Sequence, residues 1–252
     1  MTNAPDSAVT PTIVLIHGAW HGGWCFNKLK VAIEARGIVA VAPDLPGHGS
    51  DSGALGGLAV DAQRVREVVA GIDGRVVLVG HSYGGLVISE AASDPATAAK
   101  IEWLVYLCAI VTAPGVSFFE LPADQSRSLL GPLIRASDDG LSTIDTSDPA
   151  AAKAAFYADC PDDDVAFAAA NLSPQPMGNL ATPISGDPLA TIPATYVRCT
   201  EDLAIPIEVQ DAMMTSAASK AISFDTITLV SSHSPFFSMP DVLADELVRF
   251  AR

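Results

Sequence analysis

Basic residues are scarce in this 252-residue sequence, where 14 Lys and Arg stand against 29 Asp and Glu. The resulting formal net charge of −15 at pH 7 disfavours binding to nucleic acid and to anionic membrane surfaces, because both present negative phosphates. No run of like charge is long enough to form a tail, so we interpret the acidic excess as a solvated surface. We therefore expect neither nucleic acid nor a membrane as a partner.

The sequence also lacks cysteine pairs with the spacing of metal ligands. Its four cysteines are scattered, and Cys108 and Cys199 lie in apolar runs typical of strands, where a free thiol packs as a small hydrophobic group. No stretch approaches the roughly 20 apolar residues of a transmembrane helix. The first residues, MTNAPDSAVTP, have neither the basic start nor the apolar run of a secretory signal. We expect reduced thiols and a cytoplasmic location.

Short apolar runs alternate with helix-length amphipathic segments along the chain, and no internal repeat is visible. This alternation predicts an α/β fold, in which a mostly parallel sheet of about six strands is flanked by helices. The predicted strands are 12–17, 38–43, 75–80, 103–111, 194–199 and 225–230. The predicted helices are 24–36, 58–71, 83–93, 205–218 and 240–251.

One segment interrupts this alternation, since residues 113–190 contain many prolines and helical patches but no clear strand. An insertion in a parallel sheet would lie above the carboxyl ends of the strands, where such folds bind ligands. We therefore predict a core formed by 1–112 and 191–252, with 113–190 as a helical cap. Apolar cap residues either line a pocket or pack the cap onto the core: Phe118, Phe119, Leu121, Phe156, Phe167 and Met177.

The stretch VVLVGHSYGGLVI, residues 76–88, carries the pattern Gly-x-Ser-x-Gly around Ser82. In a nucleophile elbow the serine lies at a strained turn between a strand and a helix, and glycines two residues before and after it relieve crowding. An ordinary glycine-rich connection is the alternative interpretation. The strand-like VVLV before the motif and the helix-like LVISEAAS after it favour Ser82 as a nucleophile.

A serine nucleophile requires backbone N–H groups that stabilise the oxyanion of the tetrahedral intermediate. The residue after the nucleophile, Tyr83, supplies one such group. The loop after the first predicted strand, HGAWHGGW at 17–24, is expected to supply the second. There a glycine permits a tight turn that presents the Ala19 N–H towards Ser82, although an ordinary glycine-rich loop has the same composition.

The general base must be a histidine that takes the hydroxyl proton near neutral pH. His233, in VSSHSPF after the last predicted strand, is the only histidine downstream of a candidate acid in the chain order Ser, Asp, His. The side chain of His81 should point away from the hydroxyl because it adjoins Ser82. The remaining histidines lie in the first loop or in the turn DLPGHGSD: His17, His21 and His48.

The acid that orients the imidazole is expected after the predicted strand 194–199. There Thr200-Glu201-Asp202 offers two carboxylates, of which we favour Asp202 over Glu201. The loop TAPG, after YLCAIV, offers no carboxylate. Ser82, Asp202 and His233 together form a candidate triad.

These motifs resemble the α/β-hydrolase superfamily over essentially the whole chain. More narrowly, they resemble the plant methylesterase and hydroxynitrile lyase group and its bacterial esterase relatives. The matching stretches are VLIHGAWHGGWCF, DLPGHGSD, VGHSYGGLVI, FYADCPDDDVAFAAANLSPQP, CTEDLAIP and SSHSPFFSMP. The resemblance implies a Ser82–Asp202–His233 triad, Ala19 and Tyr83 as oxyanion donors, and a small helical lid. The candidate substrate-contacting residues are Gly18, Trp20, His81, Phe118, Phe119, Phe156, Phe167, Met177 and Ser234.

Two positions separate esterases from lyases within this group. Lyase members have threonine after the first-strand histidine and lysine after the catalytic histidine, whereas this sequence has Gly18 and Ser234. Both differences favour ester hydrolysis. The chain also has Tyr83 where leucine is common in the plant members.

We therefore expect a serine carboxylesterase that hydrolyses a small to medium, mainly apolar ester through an acyl-enzyme, with no metal or organic cofactor. A hydroxynitrile lyase, a metal-free haloperoxidase-like enzyme and a receptor-like ligand-binding relative remain alternatives, and both a monomer and a dimer are open. Haloalkane dehalogenases and epoxide hydrolases are excluded because they use an aspartate where this chain has Ser82.

Overall fold

The computed structural model describes residues 10–121, 123–218 and 224–252. A central sheet contains six parallel strands in the order β2-β1-β3-β4-β8-β9. Those strands are β1 (Thr12–Ile16), β2 (Ala40–Val41), β3 (Val76–His81), β4 (Ile101–Leu107), β8 (Ala194–Cys199) and β9 (Asp225–Leu229). The six predicted strands and their parallel arrangement are confirmed.

The amino-acid pattern of each strand matches its place in the sheet. The central strand β3, with the sequence VVLVGH, is buried at every position, as expected for a parallel strand covered on both faces. The edge strand β9, DTITL, is polar and largely exposed. The predicted strand 103–111 ends earlier, at Leu107, because Cys108 takes a left-handed φ of 34° that an extended strand does not allow.

Helices flank the sheet. These are α1 (Asn27–Glu34), α2 (Leu58–Gly71), α3 (Gly84–Ala92), α4 (Pro95–Ala98), α7 (Ile207–Ala217), α8 (Pro235–Ser238) and α9 (Pro240–Leu247). Helix α2 packs against α3, and α1 packs against α9. Every residue of α3 is buried, which explains its nearly continuous apolar sequence. In the described part of the chain no helix has both the length and the apolar character needed to cross a bilayer.

As far as the structure describes it, the segment between β4 and β8 contains two α-helices, a small sheet and some short 3₁₀ helices that are not numbered. The helices are α5 (Pro149–Phe156) and α6 (Asp162–Asn171), and the antiparallel strands are β5 (Ile134–Ala136), β6 (Leu141–Ile144) and β7 (Gln175–Pro176). The expectation that this segment has no strand was wrong. Strands of two to four residues are too short to show an alternating pattern. The division of the chain into a core and a cap with these boundaries stays a prediction.

This segment contacts the loops at the carboxyl edge of the central sheet. Trp20 Nε1, in the loop after β1, donates a hydrogen bond to Ser142 Oγ at 3.1 Å. His48, in the loop after β2, lies 2.9 Å from Oε1 of Gln175. The segment therefore covers the edge where the candidate site residues lie. All four cysteines are free and buried.

Candidate active site

Ser82 lies at a strained turn between β3 and α3. Its φ of 53° is in the left-handed region, which costs a non-glycine residue about 1–3 kcal/mol. The turn packs closely against its neighbours, since a Cβ at Gly80 would lie 2.5 Å from Gly84 O and a Cβ at Gly84 would lie 2.5 Å from Ile16 O. Glycine is therefore required on both sides of the serine, and the Ser82 side chain remains partly exposed.

The peptide group between Ser82 and Tyr83 is fixed through its carbonyl. Ser82 O accepts hydrogen bonds from the N–H groups of Gly85, at 3.0 Å, and Ile110, at 2.9 Å. In a trans peptide the N–H points opposite to the carbonyl, so the Tyr83 N–H is directed away from both donors. This N–H has no hydrogen-bond acceptor within the described ranges, and it is available to an oxyanion.

The peptide group between Gly18 and Ala19 is fixed in the same way. Gly18 O lies 2.8 Å from Nδ1 of His17 and accepts a longer bond, at 3.4 Å, from the N–H of His21. The Leu45 N–H donates to Nε2 of His17 at 3.0 Å, so the proton of the neutral ring is on Nδ1. The Ala19 N–H likewise has no acceptor among the residues that the structure describes.

His17 is neutral at physiological pH. Burial, reinforced by the neighbouring His48, lowers the pKa of His17 to about 3. His17 lies in the loop after β1, residues 17–24, which we call the oxyanion loop, and no role was predicted for it from the sequence. In the structure, the His17 ring holds the Gly18 carbonyl. The position of His17 directly before the Gly18–Ala19 peptide was the only sequence signal for this role.

His233 and Asp202 form a buried pair. Nδ1 of His233 lies 2.6 Å from Oδ2 of Asp202, and the two residues are 1% and 2% exposed. The other carboxylate oxygen, Oδ1, accepts from the N–H groups of Ala204 and Ile205, each at 2.8 Å. Glu201, the alternative acid, is exposed. The pairing leaves Nε2 of His233 as the nitrogen able to exchange a proton.

The loop of His233 is attached to the nucleophile turn. Nε2 of His81, the residue before Ser82, lies 2.8 Å from the backbone O of His233, and the two rings are 4.5 Å apart. Within the described chain, Ser82 Oγ has no hydrogen bond to the His233 ring. His81 therefore joins the two loops, and its ring packs against the ring of His233, the proposed base.

The other histidines have structural partners. His21 contacts Ala19 O through Nδ1, at 2.8 Å, and the Tyr157 hydroxyl through Nε2, at 2.7 Å. Burial lowers the pKa of His21 to about 4. Nδ1 of His48 lies 3.1 Å from Pro46 O. Neither ring has a free nitrogen for proton transfer.

A cavity of about 230 Å³ opens beside Ser82. Its wall is mainly apolar and comes from the oxyanion loop, the nucleophile turn, the segments before α5 and after β7, and the loop after β8. The predicted site residues in its lining are Ala19, Trp20, Ser82, Tyr83, Phe118, Phe119 and Met177. Other lining residues were not predicted from the sequence, among them Ile110, Leu130, Ile134, Leu180, Ala204 and Ile205.

The model of the "Alpha/beta hydrolase family" matches residues 13–246, which is most of the chain. The chain belongs to this family. A pyrethroid hydrolase from Sphingobium wenxiniae is 33% identical over 250 residues, which cover 95% of this chain and 87% of the relative. Methylesterase 7 from Arabidopsis thaliana is 27% identical over 250 residues, covering 94% and 95%.

Solved structures of hydrolases in this family agree with the fold. The crystal structure of a pyrethroid hydrolase from Sphingobium faniae superposes with a TM-score of 0.82 at 30% identity and covers 96% of this chain and 98% of that one. Polyneuridine aldehyde esterase shares the fold, with a TM-score of 0.79 at 22% identity, covering 97% and 100%. The curated relatives support esterase-type hydrolase activity for this α/β-hydrolase.

Five predicted substrate-contacting residues of this α/β-hydrolase do not line the 230 Å³ cavity: Gly18, His81, Phe156, Phe167 and Ser234. Phe156 is 2% exposed and lines a second cavity of about 420 Å³ between α5 and α6. Phe167 is 44% exposed and packs edge-on against Trp24. Ser234 is buried behind His233. Gly18 lies beneath Ser82, where a Cβ would come within 2.8 Å of the Ser82 Cβ.

One cluster has the side chains of a metal site. His81, Cys108 and His233 are buried with one ligand atom each within 4.8 Å of one another. However, Asp202 holds Nδ1 of His233, and the His233 carbonyl holds Nε2 of His81. Burial also raises the pKa of the Cys108 thiol well above its usual value, whereas a metal binds the thiolate. A thiol that keeps its proton fits a metal poorly.

The carboxylate of Asp202 has one further partner, Gln210, which was not predicted from the sequence. Nε2 of Gln210, on α7, lies 3.4 Å from Oδ2 of Asp202 and donates to Ile205 O at 2.8 Å. Gln210 is fully buried. A polar residue on the otherwise apolar buried face of α7 was the available signal.

Proposed function

We propose that this protein is a serine carboxylesterase that hydrolyses a small to medium, mainly apolar ester through an acyl-enzyme on Ser82. One observation carries the proposal. The strained Ser82 turn opens into an apolar cavity, with two unpaired backbone N–H groups beside it, Ala19 and Tyr83, in the described structure. Such an arrangement can hold an ester carbonyl against a nucleophile.

In the first half-reaction, Nε2 of His233 takes the proton of the Ser82 hydroxyl while Oγ attacks the carbonyl carbon. We infer that the Ser82 side chain turns towards Nε2 when the ester binds, since catalytic hydrogen bonds often tighten only in the substrate complex. The carbonyl oxygen becomes an oxyanion and accepts from the Ala19 and Tyr83 N–H groups. The intermediate then expels the alcohol, which receives the proton from His233.

In the second half-reaction, His233 takes a proton from water, and the resulting hydroxide attacks the acyl carbon. The C–O bond to Ser82 breaks, the serine oxygen recovers its proton from His233, and the carboxylic acid leaves. Asp202 keeps the Nδ1–H tautomer and stabilises the imidazolium in both halves. Every proton is carried by these residues or by water, so the proposed steps need no metal or organic cofactor.

The size and chemistry of the cavity support the substrate class. A volume of about 230 Å³ suits a small or medium acyl or alcohol group, and its apolar side chains favour uncharged substrates. The names of the relatives suggest that a pyrethroid and a methyl ester belong in the substrate panel. That panel should vary acyl and alcohol size separately.

The test is hydrolysis of p-nitrophenyl esters by the wild-type protein and by Ser82→Ala. We expect the variant to lose at least about 10³-fold in kcat/KM with its circular dichroism spectrum unchanged. Ser147→Ala, which removes the hydroxyl of an exposed serine, is the matched control and should retain full activity. Near-wild-type turnover by Ser82→Ala would overturn the assignment.

Hydroxynitrile lyase activity is the second candidate, and one contact disfavours it. The site has no room for a side chain at Gly18, because a Cβ there would lie 2.8 Å from the Ser82 Cβ. A mandelonitrile cleavage assay tests this alternative. Haloperoxidase-like activity uses the same triad and is tested by peroxide-dependent halogenation. A receptor-like protein would react with a fluorophosphonate but would not turn over ester repeatedly.

A further inference from the structure

The Tyr83 side chain forms a buried polar network directly behind the proposed oxyanion donor. Its hydroxyl donates a hydrogen bond to Oδ2 of Asp61 at 2.6 Å, and both residues are 1% exposed. Asp61 belongs to the first turn of α2.

A third residue joins the network from the segment between β4 and β8. Nδ2 of Asn179 lies 2.9 Å from the Tyr83 hydroxyl and 3.2 Å from Oδ2 of Asp61. The same amide lies 3.2 Å from Gly56 O, in the loop before α2. Asn179 is 2% exposed. The network therefore connects α2, the nucleophile turn and the short helix Met177–Ala181.

Filling the space behind the nucleophile turn with this polar network costs more free energy than filling it with apolar side chains. A buried carboxyl loses its hydration, and Oδ1 of Asp61 has no partner in the described part of the chain, which costs free energy. Burial accordingly raises the pKa of Asp61 to about 7. A leucine pairing with an apolar residue would fill the volume without this penalty. Fixing the position of Tyr83 is a benefit that the apolar alternative lacks.

The geometry points to a role for Asp61 and Asn179 as positioning residues: through the Tyr83 hydroxyl they hold the backbone N–H of Tyr83 in line with the oxyanion. This inference rests on the proposed esterase function. The Ser82 carbonyl fixes one side of the Tyr83 residue, through Gly85 and Ile110. The side-chain network fixes the other side, so the N–H cannot swing with the tyrosine.

The network also joins the oxyanion donor to the substrate cavity. Met177 and Leu180, which flank Asn179 in the short helix, line the same 230 Å³ cavity as Tyr83 and Ser82. A displacement of this helix would move Asn179 and, through the Tyr83 hydroxyl, the N–H beside the nucleophile. Positioning of the donor therefore depends on the segment that encloses the substrate.

The experiment compares kcat and KM for p-nitrophenyl acetate in Tyr83→Phe, Asp61→Leu, Asp61→Asn and Asn179→Ala. Loss of a whole oxyanion donor lowers kcat by about 10²–10³-fold. A donor that is present but loosely held should lower it by less, and we expect about tenfold in Tyr83→Phe and Asp61→Leu, with KM unchanged. Asp61→Asn retains an oxygen acceptor for the tyrosine hydroxyl and should recover most of kcat.

The matched control is Tyr106→Phe, which removes a buried tyrosine hydroxyl bonded to Ser89 Oγ at 2.8 Å and lies outside the cavity lining. It should lose stability without losing kcat. The double variant Tyr83→Phe/Asp61→Leu distinguishes a purely structural role of the network from a role in positioning the Tyr83 N–H. Its apolar pair should raise the melting temperature above that of Tyr83→Phe, while kcat stays low.

Recovery of kcat together with the melting temperature in that double variant would overturn the inference and leave only a structural role. Wild-type kcat in both Tyr83→Phe and Asn179→Ala would overturn it as well. In both cases, loss of activity in Ser82→Ala keeps the esterase proposal intact. Activity that survives Ser82→Ala instead refutes the esterase proposal itself.

Discussion

Asp159, in the turn between α5 and α6, accepts hydrogen bonds from Ser232, the residue immediately before His233. The Ser232 N–H donates at 3.2 Å, and the Ser232 hydroxyl donates to the other carboxylate oxygen. On the other side of the histidine, the Cys160 thiol lies 3.6 Å from Ser234 O. The segment between β4 and β8 thus holds the loop of the proposed base on both sides.

Replacing Asp159 with alanine should therefore reduce kcat by about tenfold, because the His233 loop loses a charge-assisted hydrogen bond of about 1.5–3 kcal/mol. Asp159→Asn retains an acceptor for the Ser232 hydroxyl and should lose less. Steady-state kinetics with p-nitrophenyl acetate checks this order. Equal kcat in Asp159→Ala and the wild type would show that the loop keeps its place without Asp159.

His17 offers a test of the oxyanion loop that uses two nearly isosteric variants. Asparagine places an N–H donor close to the position of Nδ1, whereas glutamine places its oxygen close to that of Nε2. His17→Asn should keep the bond to Gly18 O and most of kcat. His17→Gln should keep only the bond from the Leu45 N–H and lose about 10-fold or more in kcat.

The pKa of His17, lowered to about 3 by burial and His48, makes the loop insensitive to pH. The ring should remain neutral from pH 5 to pH 9, so the activity ratio of His17→Asn to the wild type should be constant over this range. Activity profiles of both proteins measure that ratio. A ratio that changes near pH 6 would contradict a neutral His17.

The raised pKa of Asp61 predicts how the stability of the protein changes with pH. Burial raises its folded pKa to about 7 from an ordinary value of 3.8. The unfolded chain therefore releases this proton near pH 4, while the folded protein keeps it until about pH 7. The contribution of Asp61 to stability is fully present below pH 4 and is lost as the pH rises to 7, by up to about 4 kcal/mol.

Asp61→Asn removes this titration, so its stability relative to the wild type should increase between pH 4.5 and pH 8. Urea unfolding at both pH values measures the difference. Asp138→Asn, at an exposed position, serves as the control and should show no such increase. A constant difference between Asp61→Asn and the wild type would mean that Asp61 titrates normally.

Net charge predicts a preference among substrates. With a formal charge of −15 at pH 7 and an apolar cavity at the nucleophile, the protein should repel polyanions. We expect neutral esters to have a higher kcat/KM than multiply anionic esters of the same acyl group, with the gap narrowing at high salt. Faster hydrolysis of the anionic esters at low salt would contradict this prediction.

The central sheet was predictable from local sequence because its strands are buried on both faces and rich in β-branched residues, as in VVLV before Ser82. The strand predictions failed where a strand is too short to show a sequence pattern. The run 38–43 yields only Ala40–Val41 as a strand, and the antiparallel strands between β4 and β8 were missed.

The members of the proposed triad could be chosen from chain order and from their position after strands. Their partners could not, because contacts such as Asn179 with Tyr83 or Asp159 with Ser232 join residues far apart in sequence. The cavity wall shows the same limit. Phe167 belongs to an apolar sequence pattern but packs against Trp24, outside the cavity. Ile110 and Ala204 line the cavity because the loops that carry them fold over it.

The carbonyls of Gly18 and Ser82 are both anchored from behind, by His17 and His21 in one case and by Gly85 and Ile110 in the other. The two facing amides are thus oriented when the chain folds and do not wait for a substrate to arrange them. A boronic acid that forms a tetrahedral adduct with Ser82 should accordingly accept hydrogen bonds from both amides without any movement of the backbone of either loop.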